Sequence, residues 1–255
     1  MNLFTLISIE LKKIRRSHIF WILLIPVILL WIPCILNFDM NFQNAAGVLP
    51  EQDFFLQSFM GLSWLMYPAT LVVITVMLNQ TERSNRAILK MLSLPLSPAL
   101  LGLAKFAVLL LLAALQMVLM GLLYFPAAAY VSHAADYNFM LPLLTVVKNV
   151  LAICASSIPM AAFYWLLATA IQSPVFSVGL GLASIVPSVL LVNTKIWYGY
   201  PICYPLYMIT SLMSRMQQGS QDLSVELFPW LIFALGITLF CLALACLLFG
   251  KSERR

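Results

Sequence analysis

The chain reads as an all-α membrane protein of six transmembrane helices, and three observations predict this. Of its 255 residues 63% are hydrophobic and 9% charged, where a soluble domain carries about a quarter charged residues. Mean hydropathy is +0.99, and apolar runs near the roughly 20 residues needed to cross a bilayer recur along the whole length. Lys and Arg gather in three segments, 1–18, 79–105 and 250–255, which hold eleven of the fourteen basic residues. Lys148, Lys195 and Arg215 fall between them, and acidic residues divide the other way, three against six. Basic flanks stay cytosolic, so both termini are expected inside. The net charge of +5 therefore reports orientation and gives no reason to expect nucleic acid.

Residues 1–18, MNLFTLISIELKKIRRSH, form an expected interface helix. Leu3, Leu6, Ile7, Leu11 and Ile14 make an apolar stripe, and Glu10 precedes the cluster Lys12, Lys13, Arg15 and Arg16. A basic amphipathic helix of this kind lies in the headgroup layer. The first span is expected at 19–36, whose 18 residues cover about 27 Å. No small-residue cleavage site follows it, so it reads as a span and not a removable signal. Residues 37–53 carry Asp39, Glu51 and Asp53 without Lys or Arg, and are expected outside.

The second span is placed at 54–78 and the third at 99–125. Between them, Glu82, Arg86 and Lys90 recur every four residues on one helical face. Ile88, Leu89 and Leu92 face the other way, and Pro95 and Pro98 end the helix because proline lacks the N–H. Lys105 lies just inside the third span, where its stem can snorkel to the interface. Gln116, deeper in that span, suits a helix–helix hydrogen bond.

An external loop is expected at 126–148, with His133 and Asp136 too sparse for a metal site. The fourth span is placed at 149–171, bent at Pro159, and the fifth at 175–192. Ser173, Ser177 and Gly181 repeat every four residues, a spacing that lets helices approach closely. Their partner is either this chain or a second subunit. Residues 193–228 form an external loop crowded with Trp197, Tyr198, Tyr200, Tyr204 and Tyr207. Interfacial belts explain such rings generically, and a re-entrant, partly buried element is the alternative. The last span is placed at 229–249.

Catalytic chemistry is not written in these residues. The spans carry no Asp, Glu, Arg or His, which argues against ion-coupled transport, since intramembrane charges mark such paths. Five cysteines show no CxxC pairing and read as packing residues. Gly250-Lys251-Ser252 lacks the earlier glycine of a phosphate-binding loop, Ala245 standing in its place. No cofactor is expected on this chain.

Glu82, Arg86, Lys90, Leu92-Ser93-Leu94-Pro95, Ser97 and Lys105 together resemble the segment after the second span of ABC-2 type permeases. The Glu10-Leu11-Lys12-Lys13 run is similar to that family's N-terminal interface helix. Size, termini and the late aromatic loop narrow the resemblance to lantibiotic self-protection permeases of Gram-positive bacteria. That resemblance implies a cell-membrane exporter subunit that is no enzyme itself, works with a second permease subunit and takes ATP through a separate ABC ATPase subunit. It implies that Glu82, Arg83, Arg86, Lys90, Leu94 and Pro95 meet the ATPase through a cytosolic coupling helix. It also implies that the 197–207 aromatics contact an antimicrobial peptide on its way out of the membrane. The same layout suits another drug or lipid cargo, or a non-transporting immunity or sensor protein.

Overall fold

The computed structural model of the chain describes residues 3–14, 17–43, 47–83, 98–217 and 230–252. All regular structure among them is helical. Six helices are long and apolar enough to cross a membrane: Ile19–Leu36, Pro50–Gln80, Ala99–Ala135, Leu143–Ala170, Pro174–Leu191 and Trp230–Leu248. They are called spans 1 to 6. Burial shows which are central, because 61%, 50% and 56% of the apolar windows of spans 2, 3 and 4 are buried, against 22%, 22% and 17% for spans 1, 5 and 6. The outer three keep faces of Ile, Leu, Val and Phe open, as a helix in contact with hydrocarbon does.

Span 3 is the mast of the bundle. Its helix, Pro98–Ala135, has 38 residues and is about 57 Å long, where the hydrocarbon layer is about 30 Å. Pro126 does not stop it, since a lost backbone bond inside a bundle is re-satisfied locally. Asp136, at φ 50°, ends the helix in the left-handed conformation that Asp tolerates better than most residues. The expected loop at 126–148 thereby shrinks to 136–142. Two side chains fold it back onto the helix. The Tyr124 hydroxyl donates to the Phe139 carbonyl and accepts from the Leu141 N–H, both at 2.9 Å, and Ser132 Oγ accepts from the Phe139 N–H.

Span 2 also starts earlier than its expected apolar core, at Pro50. Proline suits a first helical position, and Glu51 and Asp53 in the first turn complement the helix dipole. The helix then widens into a π segment, Leu62–Met66, before resuming as Tyr67–Arg83. Span 4 runs as Leu143–Ser156 and Ile158–Ala170. Its interruption falls at Ser157, beside the Pro159 that the sequence marks as a bend.

Span 5 comprises Pro174–Ala183 and Val186–Leu191. The small-residue stripe packs inside this chain: Ser177 and Gly181 are buried, and a Cβ on Gly181 would lie 2.6 Å from Val72 Cγ1 of span 2. A short 3-10 turn, Trp197–Gly199, and the helix Cys203–Gln217 follow. That helix lies against Pro50–Gly61, the π segment and Leu143–Ser156, so its residues 203–206 are buried in the bundle while Trp197, Tyr198, Tyr200 and Tyr207 stay partly exposed.

Because Gly181 sits against the buried Val72, Gly181→Leu should destabilise the protein by about 1–3 kcal/mol through overpacking. Thermal unfolding in detergent is the measurement, and adding Val72→Ala should recover most of the loss.

Candidate functional site

At the basic end, the interface helix Leu3–Ile14 lies along the start of span 3. Its amphipathic pattern decides how. Leu6 is buried with Leu101 and Ala104 in a small cluster of their own, flanked by Ile7 and Leu100. One turn further along each helix stand Glu10 and Lys105, 2% and 0% exposed.

The charges form a branched junction. Lys105 Nζ donates to the Leu78 carbonyl at 2.8 Å and pairs with Glu10 Oε2 at 3.5 Å. Glu10 Oε1 takes Lys13 Nζ at 2.5 Å. Lys105 is thus not drawn out to the interface as a snorkelling side chain. The interface helix covers it, and its ammonium reaches a carbonyl five residues before the described helix ends at Arg83. Buried charges are costly unless paired and hydrogen-bonded, and this pairing fixes three helices at one point. Glu82 and Arg83 end the described part of span 2, whereas Arg86, Lys90, Leu94 and Pro95 lie outside the described residues, as do Arg15 and Arg16. Lys12 is exposed.

A second polar level crosses the middle of the bundle. Tyr67, first residue after the π segment and fully buried, meets Ser157, the break in span 4, with hydroxyls 2.8 Å apart. Ser157 spends its proton on the Cys154 carbonyl, so Tyr67 is the donor. Gln116 Nε2 donates to Thr70 Oγ1 at 3.2 Å, the helix–helix bond its position suggests. Neither level holds a nucleophile beside a base, and no group of three metal-ligating side chains occurs among the described residues. Both levels tie helices to one another.

A sequence profile of ABC-2 family transporter proteins matches residues 6–188, well over half the chain and inclusive of both polar levels. The chain belongs to the ABC-2 transporter family. No curated protein and no solved structure matches it. As an ABC-2 membrane subunit it is a multi-pass membrane protein without ATPase activity of its own.

At the far end of this ABC-2 subunit, the aromatics do unequal jobs. Trp197 stacks on Tyr207 with ring centroids 3.5 Å apart, and both remain partly exposed. Tyr198 packs on Phe233 of span 6. Tyr200 donates to the Ser184 carbonyl, and Cys203 Sγ lies 3.3 Å from the Ser188 carbonyl, so span 5 is capped by this region. Tyr204 is fully buried and donates to the Tyr198 carbonyl. It holds the element together and has no surface to offer a peptide.

A second aromatic group escaped the sequence reading. Trp31, Phe42, Phe54, Tyr124, Tyr137 and Phe139 interlock with centroids 5.3–6.4 Å apart. The Tyr137 hydroxyl donates to Glu51 Oε2 at 2.6 Å, and accepting that bond makes the carboxylate hold the phenolic proton above the usual tyrosine range. Drawn from spans 1, 2 and 3 and from the segments 38–42 and 136–142, these rings share no local period.

Since Ser157 keeps its bond to Cys154 without Tyr67, Tyr67→Phe should cost about 1 kcal/mol. Ser157→Ala strands the Tyr67 hydroxyl in the interior and should cost about 1–3 kcal/mol. The double variant should cost less than the sum in thermal unfolding.

Proposed function

We propose that the chain is the permease subunit of an ATP-driven exporter that removes a lantibiotic or similar antimicrobial peptide from the membrane of a Gram-positive cell. The profile match over residues 6–188 supports the transporter part of this reading. It begins within the interface helix and ends within span 5. A permease of this family draws its energy from an ATPase subunit, and a second permease subunit, identical or homologous, completes the path.

The residues support a division of labour. The segment between Arg83 and Pro98 joins two helices that already share the Lys105 junction, so a soluble partner pressing there acts on both. Glu82, Arg83, Arg86 and Lys90 supply the charges for that contact, with Leu94 and Pro95 shaping its end. Glu10, Lys12, Lys13, Arg15 and Arg16 set the interface helix against lipid and the junction. At the opposite end Trp197, Tyr198, Tyr200 and Tyr207 offer partly exposed rings to an amphipathic, cationic peptide, for which aromatic faces are suitable contacts. Tyr204 supports them from below.

The test is peptide tolerance in cells that carry the whole operon, with nisin as the probe. Glu82→Ala should lower tolerance by about ten-fold, the order of a coupling free energy of 1–3 kcal/mol, at unchanged protein level. Tolerance equal to wild type would remove Glu82 from the coupling path. Tolerance that depends on the ATPase for a different drug or lipid, and not for nisin, would keep the permease and change its cargo. Tolerance conferred by this chain without any ATPase would make it a binding or sensing protein.

A further inference from the structure

The contact between the interface helix and span 3 contains more charge than adhesion requires. Leu6, Leu101 and Ala104 already bury an apolar surface there. One turn on, that surface gives way to Glu10 and Lys105, both buried. Replacing a buried ion pair with apolar residues of similar volume is often neutral or stabilising. Holding the two helices together therefore does not call for this pair. What the pair adds is direction: an ammonium group that meets the Leu78 carbonyl and the Glu10 carboxylate favours one register, whereas leucines slide.

The third partner makes that register matter. Lys105 Nζ binds the Leu78 carbonyl of span 2 across 27 positions of sequence, while its Glu10 partner belongs to the interface helix. Lys13 holds the other oxygen of Glu10, which keeps the carboxylate turned toward Lys105. Three helices that could each tilt independently are thus locked at one atom.

We propose that Lys105 is a positioning residue for energy coupling. It joins the interface helix, the end of span 2 and the start of span 3 into one rigid body, so that a displacement at the basic end moves spans 2 and 3 together. The source of the displacement rests on the ATP-driven reading above. The rigid body does not.

The experiment uses the full complex in lipid nanodiscs, on a background in which the five native cysteines are replaced. Spin labels at the exposed positions Phe4 and Leu103 report the interface helix against span 3. Labels at Leu103 and Leu247, also exposed, report span 3 against span 6. The informative variant is the apolar pair Glu10→Leu with Lys105→Met, which removes both charges of the pair together and should accumulate to within about two-fold of wild type. Its 4–103 distance distribution should be at least about two-fold broader without nucleotide, as register is lost. ATP with vanadate should shift the 103–247 distance in the wild type, and in the apolar pair by less than about half as much.

A 4–103 distribution as narrow as wild type, or an undiminished 103–247 shift, overturns the proposal. Should the apolar pair fail to accumulate, the near-isosteric Glu10→Gln is read instead, and it too must broaden the 4–103 distribution. If wild type shows no nucleotide-dependent shift, the ATP-driven reading fails, and the 4–103 width alone decides the role of Lys105.

Discussion

An ammonium group inside a hydrocarbon-embedded bundle must be satisfied by protein, and that constraint organises the basic end of this molecule. Lys105 is wholly buried and points at the last turns of span 2. A charge in that setting costs at least about 2.5–3.5 kcal/mol on insertion scales. Glu10 supplies the counter-charge, and only a helix lying along span 3 with Leu6 over Leu101 brings Glu10 there. The place of the interface helix thus follows from one lysine. So does the closeness of the two spans whose connecting segment is proposed to meet an ATPase.

The rest of the interior extends this connection toward the opposite end. Spans 2 and 4 are the most buried, and each is irregular where it meets the other, at the π segment ending before Tyr67 and at Ser157. Interrupted helices allow the portions on either side to move with some independence. On one side lie Tyr67–Arg83 and Ile158–Ala170, packed on each other and on spans 5 and 6. On the other, Pro50–Gly61 and Leu143–Ser156 hold the helix Cys203–Gln217. The Tyr67–Ser157 level joins the two sides directly, and spans 5 and 6, which touch both the inner helices and the aromatic region, join them as well.

The sequence made the coarse architecture legible because the bilayer imposes one strong rule on composition. Six apolar runs and the uneven distribution of Lys and Arg follow from it directly, and so does the amphipathic first helix. Helix lengths beyond the membrane do not, since outside hydrocarbon that rule lapses. The loop expected from 126 begins only at 136, since the helix passes Pro126, and the bonds of Tyr124 and Ser132 that bring residues 139–141 back join positions that no local pattern pairs. Lys105 looked like a snorkelling residue because its position near a span end is compatible with that. Its actual partner stands 95 positions earlier, and nothing in the local pattern distinguishes the two fates. Ser177 and Gly181 advertised close packing correctly while leaving the partner open, and it proved to be Val72 of the same chain. Tyr204 could not be separated from its neighbours Trp197 and Tyr207 by sequence, since burial is decided by the fold of the whole loop.

The most direct test of the account is a double-mutant cycle between Glu10 and Lys105, read by thermal unfolding of the purified protein. Glu10→Gln takes the Glu10 charge away from Lys105, and Lys105→Met takes the buried cation away from Glu10. The account predicts that the two losses fall short of adding by at least about 2 kcal/mol. Losses that add within about 0.5 kcal/mol would mean that the two groups do not depend on each other, and the basic end would have no staple.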